Sequence, residues 1–295
     1  MDYRNNYFLS SDPKDIIHFY EGFENKEELI DWMKERPKGS CEIMEVEGKK
    51  DIIVVIPAAD FEGEYAKRCR EEIFKGLHII FVVSGKGNNY FNYAHNCNFG
   101  IKKAMEYNPK WVVLSNDDMV KIDEISSLIK ELDGINSVKT MAVCRSRSKE
   151  ANRARIGHPK RLRNFLFRMR NSYTRSLLTY EKKFDIRFFV EGLKFPWNHL
   201  FRNLLEVRAI SDFAVLSSDL FRDYSTLYDE TFINGGEDID LSIRLYLIKI
   251  NYVLLYYRIS SIGVGTIGSK NRMLKDIINL AYLNSKLLEY FHTVS

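Results

Sequence analysis

Between Asp51 and Cys144, short apolar runs alternate with amphipathic stretches, and this alternation narrows the fold more than any other feature of the chain. DIIVVIPAAD (51–60), LHIIFVV (77–83) and WVVL (111–114) read as strands buried on both faces, with VKTMAVC (138–144) as a fourth. GEYAKRCREEIFKG reads as a helix closed by Gly76. A second helix spans Tyr93 to Tyr107 and stops at Asn108-Pro109, and Ile122, Ile125, Leu128, Ile129 and Leu132 recur at helical spacing before Gly134. The pattern predicts an α/β fold with a mostly parallel central sheet flanked by helices. Ligands of such sheets sit beyond the carboxyl ends of the strands, so the loops beginning at Pro57, Ser84 and Ser115 are the places to look.

Two nucleotide-binding solutions are excluded. SGKGNNY has Tyr90 where GxGxxG needs glycine, and no GxxxxGK[ST] occurs. No apolar run approaches the roughly 20 residues that span a bilayer. The N-terminus lacks a basic start followed by an apolar stretch, so no secretory signal is expected and the chain reads as cytoplasmic. Cys41, Cys69, Cys97 and Cys144 are scattered without a CxxC pair, which predicts free thiols.

The flanking regions read differently. Residues 1–50 form a helical extension on sequence grounds: Asp12-Pro13 suits a helix start, Asn25 with Glu28 resembles a capping box, and Pro37 to Gly39 ends that helix. Residues 145–205 form a basic insertion. Arg147, Lys149, Arg153, Arg155, Lys160, Arg161, Arg163, Arg168 and Arg170 face the single acid Glu150 between Arg145 and Arg175. Because apolar residues are interleaved with these charges, the insertion reads either as an amphipathic segment at an anionic membrane face or as a solvated helical cover with its aromatics packed inward. Residues 270–295 read as an amphipathic C-terminal helix packed on the catalytic region.

Two acidic clusters carry candidate chemistry. LSNDDM sets Asn116, Asp117 and Asp118 directly after a buried strand. Carboxylates there can hold a hard divalent cation, although Asn and Asp also serve turns and caps. INGGEDIDLSIRL runs Gly235 and Gly236 into Glu237, Asp238 and Asp240. The stretch reads as a helix from Glu237 to Ile250 with Asn251 as its stop, followed by the strand YVLLYY. Acids at a helix start are favoured by the dipole whether or not they do chemistry.

Taken in order, the two clusters resemble the glycosyltransferases of the GT-A fold, family 2 most of all. VVIPAAD is similar to their first strand, NYFNYAHNCNFGIKKA to their asparagine-glycine helix start, LSNDDM to their DxD metal motif, and AISDFAVLSSDLF to their acceptor-side strand. YDETFINGGEDIDLSIRL resembles both the family-2 EDxDLxxR stretch and the GGED segment of the β-1,4-galactosyltransferases. The resemblance implies a Rossmann-like catalytic domain over 51–269, with a nucleotide-sugar half (51–144) and an acceptor half (206–269) around the insertion. It implies an inverting transfer of a hexose-type sugar from a nucleotide-sugar donor, a uridine diphosphate sugar being favoured, to a hydroxyl on a glycan or lipid-linked acceptor. Asp238 would be the general base, with Glu237 beside it. Asp118 and Asn116 would hold Mn²⁺ or Mg²⁺. Pro57, Ala58, Asp60, Ser84, Asn98, Asn116 and Asp117 would bind the donor, and Gly235, Gly236 and Glu237 the acceptor. Ser84 stands where relatives often carry an aspartate. YYRISSIGVGTIGSK has none of the histidines that often complete the metal site, which turns attention to Arg258, Lys270 and Arg272 for the diphosphate.

Two other classes compete. The arginine block and paired acids suit a nucleic-acid binder or metal nuclease, but that reading leaves GGED and its distance from NDD unexplained, and no nucleic-acid partner is expected. An inactive glycan-binding relative would bind sugar nucleotide without turnover, and the presence of both Asp118 and Asp238 counts against it.

Overall fold

The computed structural model describes residues 3–144, 153–159, 179–192, 201–222, 226–263 and 272–294. Its centre is a seven-stranded mixed sheet built from β1 (Glu42–Val46), β2 (Lys49–Ala58), β3 (Leu77–Val83), β4 (Trp111–Ser115), β6 (Thr140–Cys144), β10 (Phe213–Ser217) and β11 (Asn251–Leu255), in the order β1-β3-β2-β4-β10-β6-β11. β2 runs parallel to β3 and β4, and β11 parallel to β6. β1 and β10 run against their neighbours.

Alternate residues of β2 explain why the sheet needs helices on both faces. Ile52, Val54 and Ile56 pack on one side with Cys69, Ile73, Leu128 and Leu132, from α4 (Glu64–Arg68), the π-helical turn Cys69–Ile73 that continues it, and α6 (Ile125–Asp133). Ile53 and Val55 pack on the other with Ala94, Cys97, Ile101 and Ala104 of α5 (Tyr93–Met105) and with Leu241 and Leu245 of α7 (Glu237–Leu247). A Cβ at Gly100 would overlap Val55 and Val82, so this glycine lets α5 lie flat on the sheet.

The N-terminal region is only partly helical. α1 (Arg4–Leu9), α2 (Pro13–Glu21) and α3 (Lys26–Glu35) form as expected, with Asp12 and Asn25 capping α2 and α3. Residues 42–46, however, are the edge strand β1. The alternation of Ile43 with the polar Glu42 and Met44 with Glu45 is too short to separate from a loop by pattern alone. Phe8, Phe19, Phe23, Leu29 and Trp32 pack on the C-terminal helix α8 (Arg272–Val294) through Leu274, Ile277 and Ile278.

The basic insertion departs further from expectation. Its described part is helical only at 179–183, where Tyr180, with Phe184 just beyond, packs inward; most of the rest is strand. β7 (Arg153–Pro159) is the middle strand of a small sheet with β8 (Phe189–Gly192) and β9 (Phe201–Arg208). Arg153 and Arg155 pair with Glu206 at 2.8 and 3.1 Å, so two of the block's cations already have an anion. Arg161, Arg163, Arg168 and Arg170 lie outside the described residues. Among the described residues no helix is long and apolar enough to cross a membrane.

Candidate active site

The parallel strands β2, β3 and β4 end at one edge of the sheet, and antiparallel β10 begins there. Their loops enclose a cavity of about 670 Å³, within the size range of small-molecule sites. Pro57, Ala58, Ser84, Asn116, Asp117, Asp118, Gly235, Gly236, Glu237 and Asp238 all line it. Asp118 and Asp238, 120 positions apart in the chain, therefore share one hollow.

Two residues expected to touch the donor do not line this cavity. Asn98 is buried, and its amide clamps the loop before GGED: Nδ2 donates to the Tyr228 carbonyl and to Glu230 Oε1, and Oδ1 accepts from the Tyr228 N–H, all at 2.9 Å. Asp60 pairs with Lys86 at 2.7 Å and accepts the Glu62 N–H. Arg258 is likewise occupied, by a two-pronged contact to Asp123. Lys270 lies outside the described residues.

Local chemistry explains how each acidic cluster is held. A three-residue strand, β5 (Met119–Lys121), pairs with β12 (Ile259–Ser261) directly after the NDD turn. This pairing brings Gly263 under Asp118: the Ile262 N–H donates to the Asp118 carbonyl and the Gly263 N–H to Asp118 Oδ2, both at 3.0 Å. Burial, and then the charge of Asp118, raise the Asp117 carboxyl to about 6. Two adjacent carboxylates in a poorly solvated turn repel each other, and this repulsion is what a bound cation would relieve.

At the other cluster, Glu237, Asp238 and Asp240 occupy the first turn of α7 but diverge. Glu237 is buried and Asp238 half-buried against the cavity. Asp238 Oδ1 accepts the Ile239 N–H at 2.9 Å. Asp240 points the other way and is fully buried. It accepts from Arg244 Nε, from Tyr290 O–H and from Lys286 Nζ at 2.8–2.9 Å, so its role is to tie α7 to α8.

The double glycine has a packing reason besides any ligand. Gly236 has φ +88°, which a side chain disfavours, and a Cβ there would lie 3.1 Å from Phe232. A Cβ on Gly235 would lie 3.1 Å from Asn279 Nδ2 of α8. Close approach of the C-terminal helix accounts for Gly235, and the left-handed backbone beside Phe232 for Gly236. The Asn279 side chain in turn bonds both the N–H and the carbonyl of Ile233.

Sequence reasoning missed Asp212, Tyr93, Asn234 and Gly263, which also line the cavity. Tyr93 O–H donates to Asn116 Oδ1 at 3.1 Å, and Asn116 Nδ2 donates to Asp212 Oδ1 at 3.3 Å. Burial holds the Tyr93 hydroxyl well above its ordinary pKa, so it remains a donor. Asp212 precedes β10 inside the quoted ISDFAVLS stretch. It was passed over because the rule for parallel strands looks at strand ends, whereas antiparallel β10 brings its beginning to the site.

The donor set suits one kind of ion. Among the described residues no three His, Cys, Asp or Glu side chains converge on a common point, so these residues offer no all-protein cage. Carboxylates alone in a cavity of this size match Mg²⁺ or Mn²⁺, which takes one or two carboxylates and completes its shell with water and substrate phosphate. Thiol chemistry does not compete. Burial pushes Cys69 and Cys144 up to about 12 and Cys97 higher still, so none is a thiolate near neutral pH. No family model matches this chain, and no curated protein matches its sequence.

Proposed function

We propose that this chain is an inverting glycosyltransferase, moving a sugar from a nucleotide-sugar donor to a hydroxyl of a glycan or lipid-linked acceptor. The observation that carries this reading is the shared cavity, lined by Asp117 and Asp118 from the turn after β4 and by Glu237 and Asp238 from the start of α7. The donor's diphosphate would lie by Asp118 and its nucleoside between Ala58 and Ser84. The acceptor oxygen attacks the anomeric carbon as the bond to the diphosphate breaks, and the departing nucleoside diphosphate keeps the electron pair. Asp238 takes the hydroxyl proton in that step, because the alcohol is a poor nucleophile without a base. Its place at the helix start, with Oδ1 fixed by the Ile239 N–H, orients the carboxylate for this role. Glu237 holds the acceptor. Mn²⁺ or Mg²⁺ at Asp118, when bound, supplies the positive charge that the diphosphate needs.

A melting-temperature screen of nucleotide sugars with Mn²⁺ tests this reading. The true donor at about a hundred times its Kd raises Tm by about 5 °C. A chain that no nucleotide sugar stabilises, but that binds duplex DNA tightly at low salt, belongs to the nucleic-acid class instead.

A further inference from the structure

The cavity holds five carboxylates, Asp117, Asp118, Asp212, Glu237 and Asp238, and among the described residues no lysine or arginine lines it. A cation would offset the repulsion between these carboxylates and an anionic diphosphate, which raises the question of which side chains hold it. From the sequence, Asn116 is the partner of Asp118. The geometry opposes that choice. The Asn116 amide oxygen, the only atom of that side chain able to bind a cation, accepts the Tyr93 hydroxyl, and its NH₂ faces Asp212.

Asp212 has the properties that Asn116 lacks. Its backbone is fixed opposite Asn116, the carbonyl accepting the Asn116 N–H at 2.9 Å. Its carboxylate receives only neutral donors, Asn116 Nδ2 at 3.3 Å and Ser261 Oγ at 2.5 Å, and among the described residues no Lys or Arg forms an ion pair with it. One segment also ties the two acids together. Ser261 donates to Asp212, and Gly263, two residues on, donates to Asp118. Extended chain advances roughly 7 Å over two residues, so both carboxylates are tethered to neighbouring points of the same segment.

We propose that Asp212 together with Asp118, and not Asn116, holds the divalent cation that the transferase reading requires, with Tyr93 and Ser261 fixing Asn116 and Asp212 in their places. This rests on the transferase reading for the identity of the ion, but its test is independent of turnover.

The test titrates the full chain with Mn²⁺ and follows loss of the free-ion electron paramagnetic resonance signal, for the parent and for Asp212→Asn, Asp212→Ser, Asp118→Asn and Asn116→Ala, with each variant's fold checked by its melting curve. Both Asp212 variants and Asp118→Asn are expected to weaken Mn²⁺ by at least about tenfold, while Asn116→Ala stays close to the parent. Folded Asp212 variants that bind Mn²⁺ like the parent overturn the proposal, as does a parent that binds no Mn²⁺. The same samples are screened with nucleotide sugars in the presence of Mn²⁺ and, separately, in a chelating buffer. Donor binding in either with unchanged Mn²⁺ affinity in the Asp212 variants removes the Asp212 assignment and leaves the transferase reading intact. Loss of both kinds of binding in the folded parent removes both.

Discussion

At the scale of single residues, two acids of one helix start, Asp238 and Asp240, sit in different surroundings, and mutation separates them. Asp238 lines the cavity and its Oδ1 accepts the adjacent Ile239 N–H, a contact that an asparagine oxygen can also make. Asp238→Asn is therefore expected to melt like the parent. Asp240 is the opposite case. Its removal takes from Arg244 its buried carboxylate partner and from Lys286 one of two, Asp229 remaining, so Asp240→Ala is expected to lose about 3 kcal/mol in urea unfolding. Gly236→Ala forces a side chain into φ +88° against Phe232 and is expected to lose about 1–2 kcal/mol. An Asp240→Ala protein as stable as the parent would refute the anchoring role, and an unperturbed Gly236→Ala would refute the packing account of the glycine pair.

At the scale of elements, α8 is the brace behind the loop that leads into α7. Asp229 accepts from Lys286 Nζ and Tyr282 O–H of that helix at 2.6 and 2.8 Å. Burial alone would raise this carboxyl, but Lys286, the Thr231 N–H and Tyr282 outweigh it and hold the group down to about 2. The sign follows directly. A depressed carboxyl stabilises the fold above its unfolded value near 3.9, and that stability is lost as pH falls toward 2. The contribution is at most about 2 kcal/mol once partial exposure is discounted. Asp229→Asn is expected to flatten the fall in stability between pH 4 and 2, and an unchanged slope would show that the pair does not matter. Here the sequence is legible in part. The apolar runs of β2, β3 and β4 and the spacing of α5 to α7 could be read because each element buries a face whose period shows in the chain. β1 could not, because a short half-exposed edge strand has almost no period. The strands of the insertion could not, because arginines on β7 that pair across to Glu206 look in sequence like free positive charge.

At the scale of the whole molecule, topology is what turns two distant acidic stretches into one site. Ten of the twelve residues proposed for the site converge on the cavity, because β2, β3, β4 and α7 all present the same edge of the sheet. The two that do not, Asp60 and Asn98, are polar residues of the right type whose hydrogen bonds are spent on the loop after β2 and on the 228–230 loop. Asp212 was illegible for a topological reason: no local pattern says that β10 runs against its neighbours, and only that reversal brings its first residue to the site. In the proposed reaction Asp118 and Asp238 serve one transfer, the second as base. The measurement that bears on it most directly is kcat for sugar transfer, with the donor found in the melting screen, for the parent and Asp238→Asn. The predicted result is a fall in kcat of about 10²–10⁴ with donor affinity unchanged. An Asp238→Asn protein that transfers sugar at the parent's rate would contradict it.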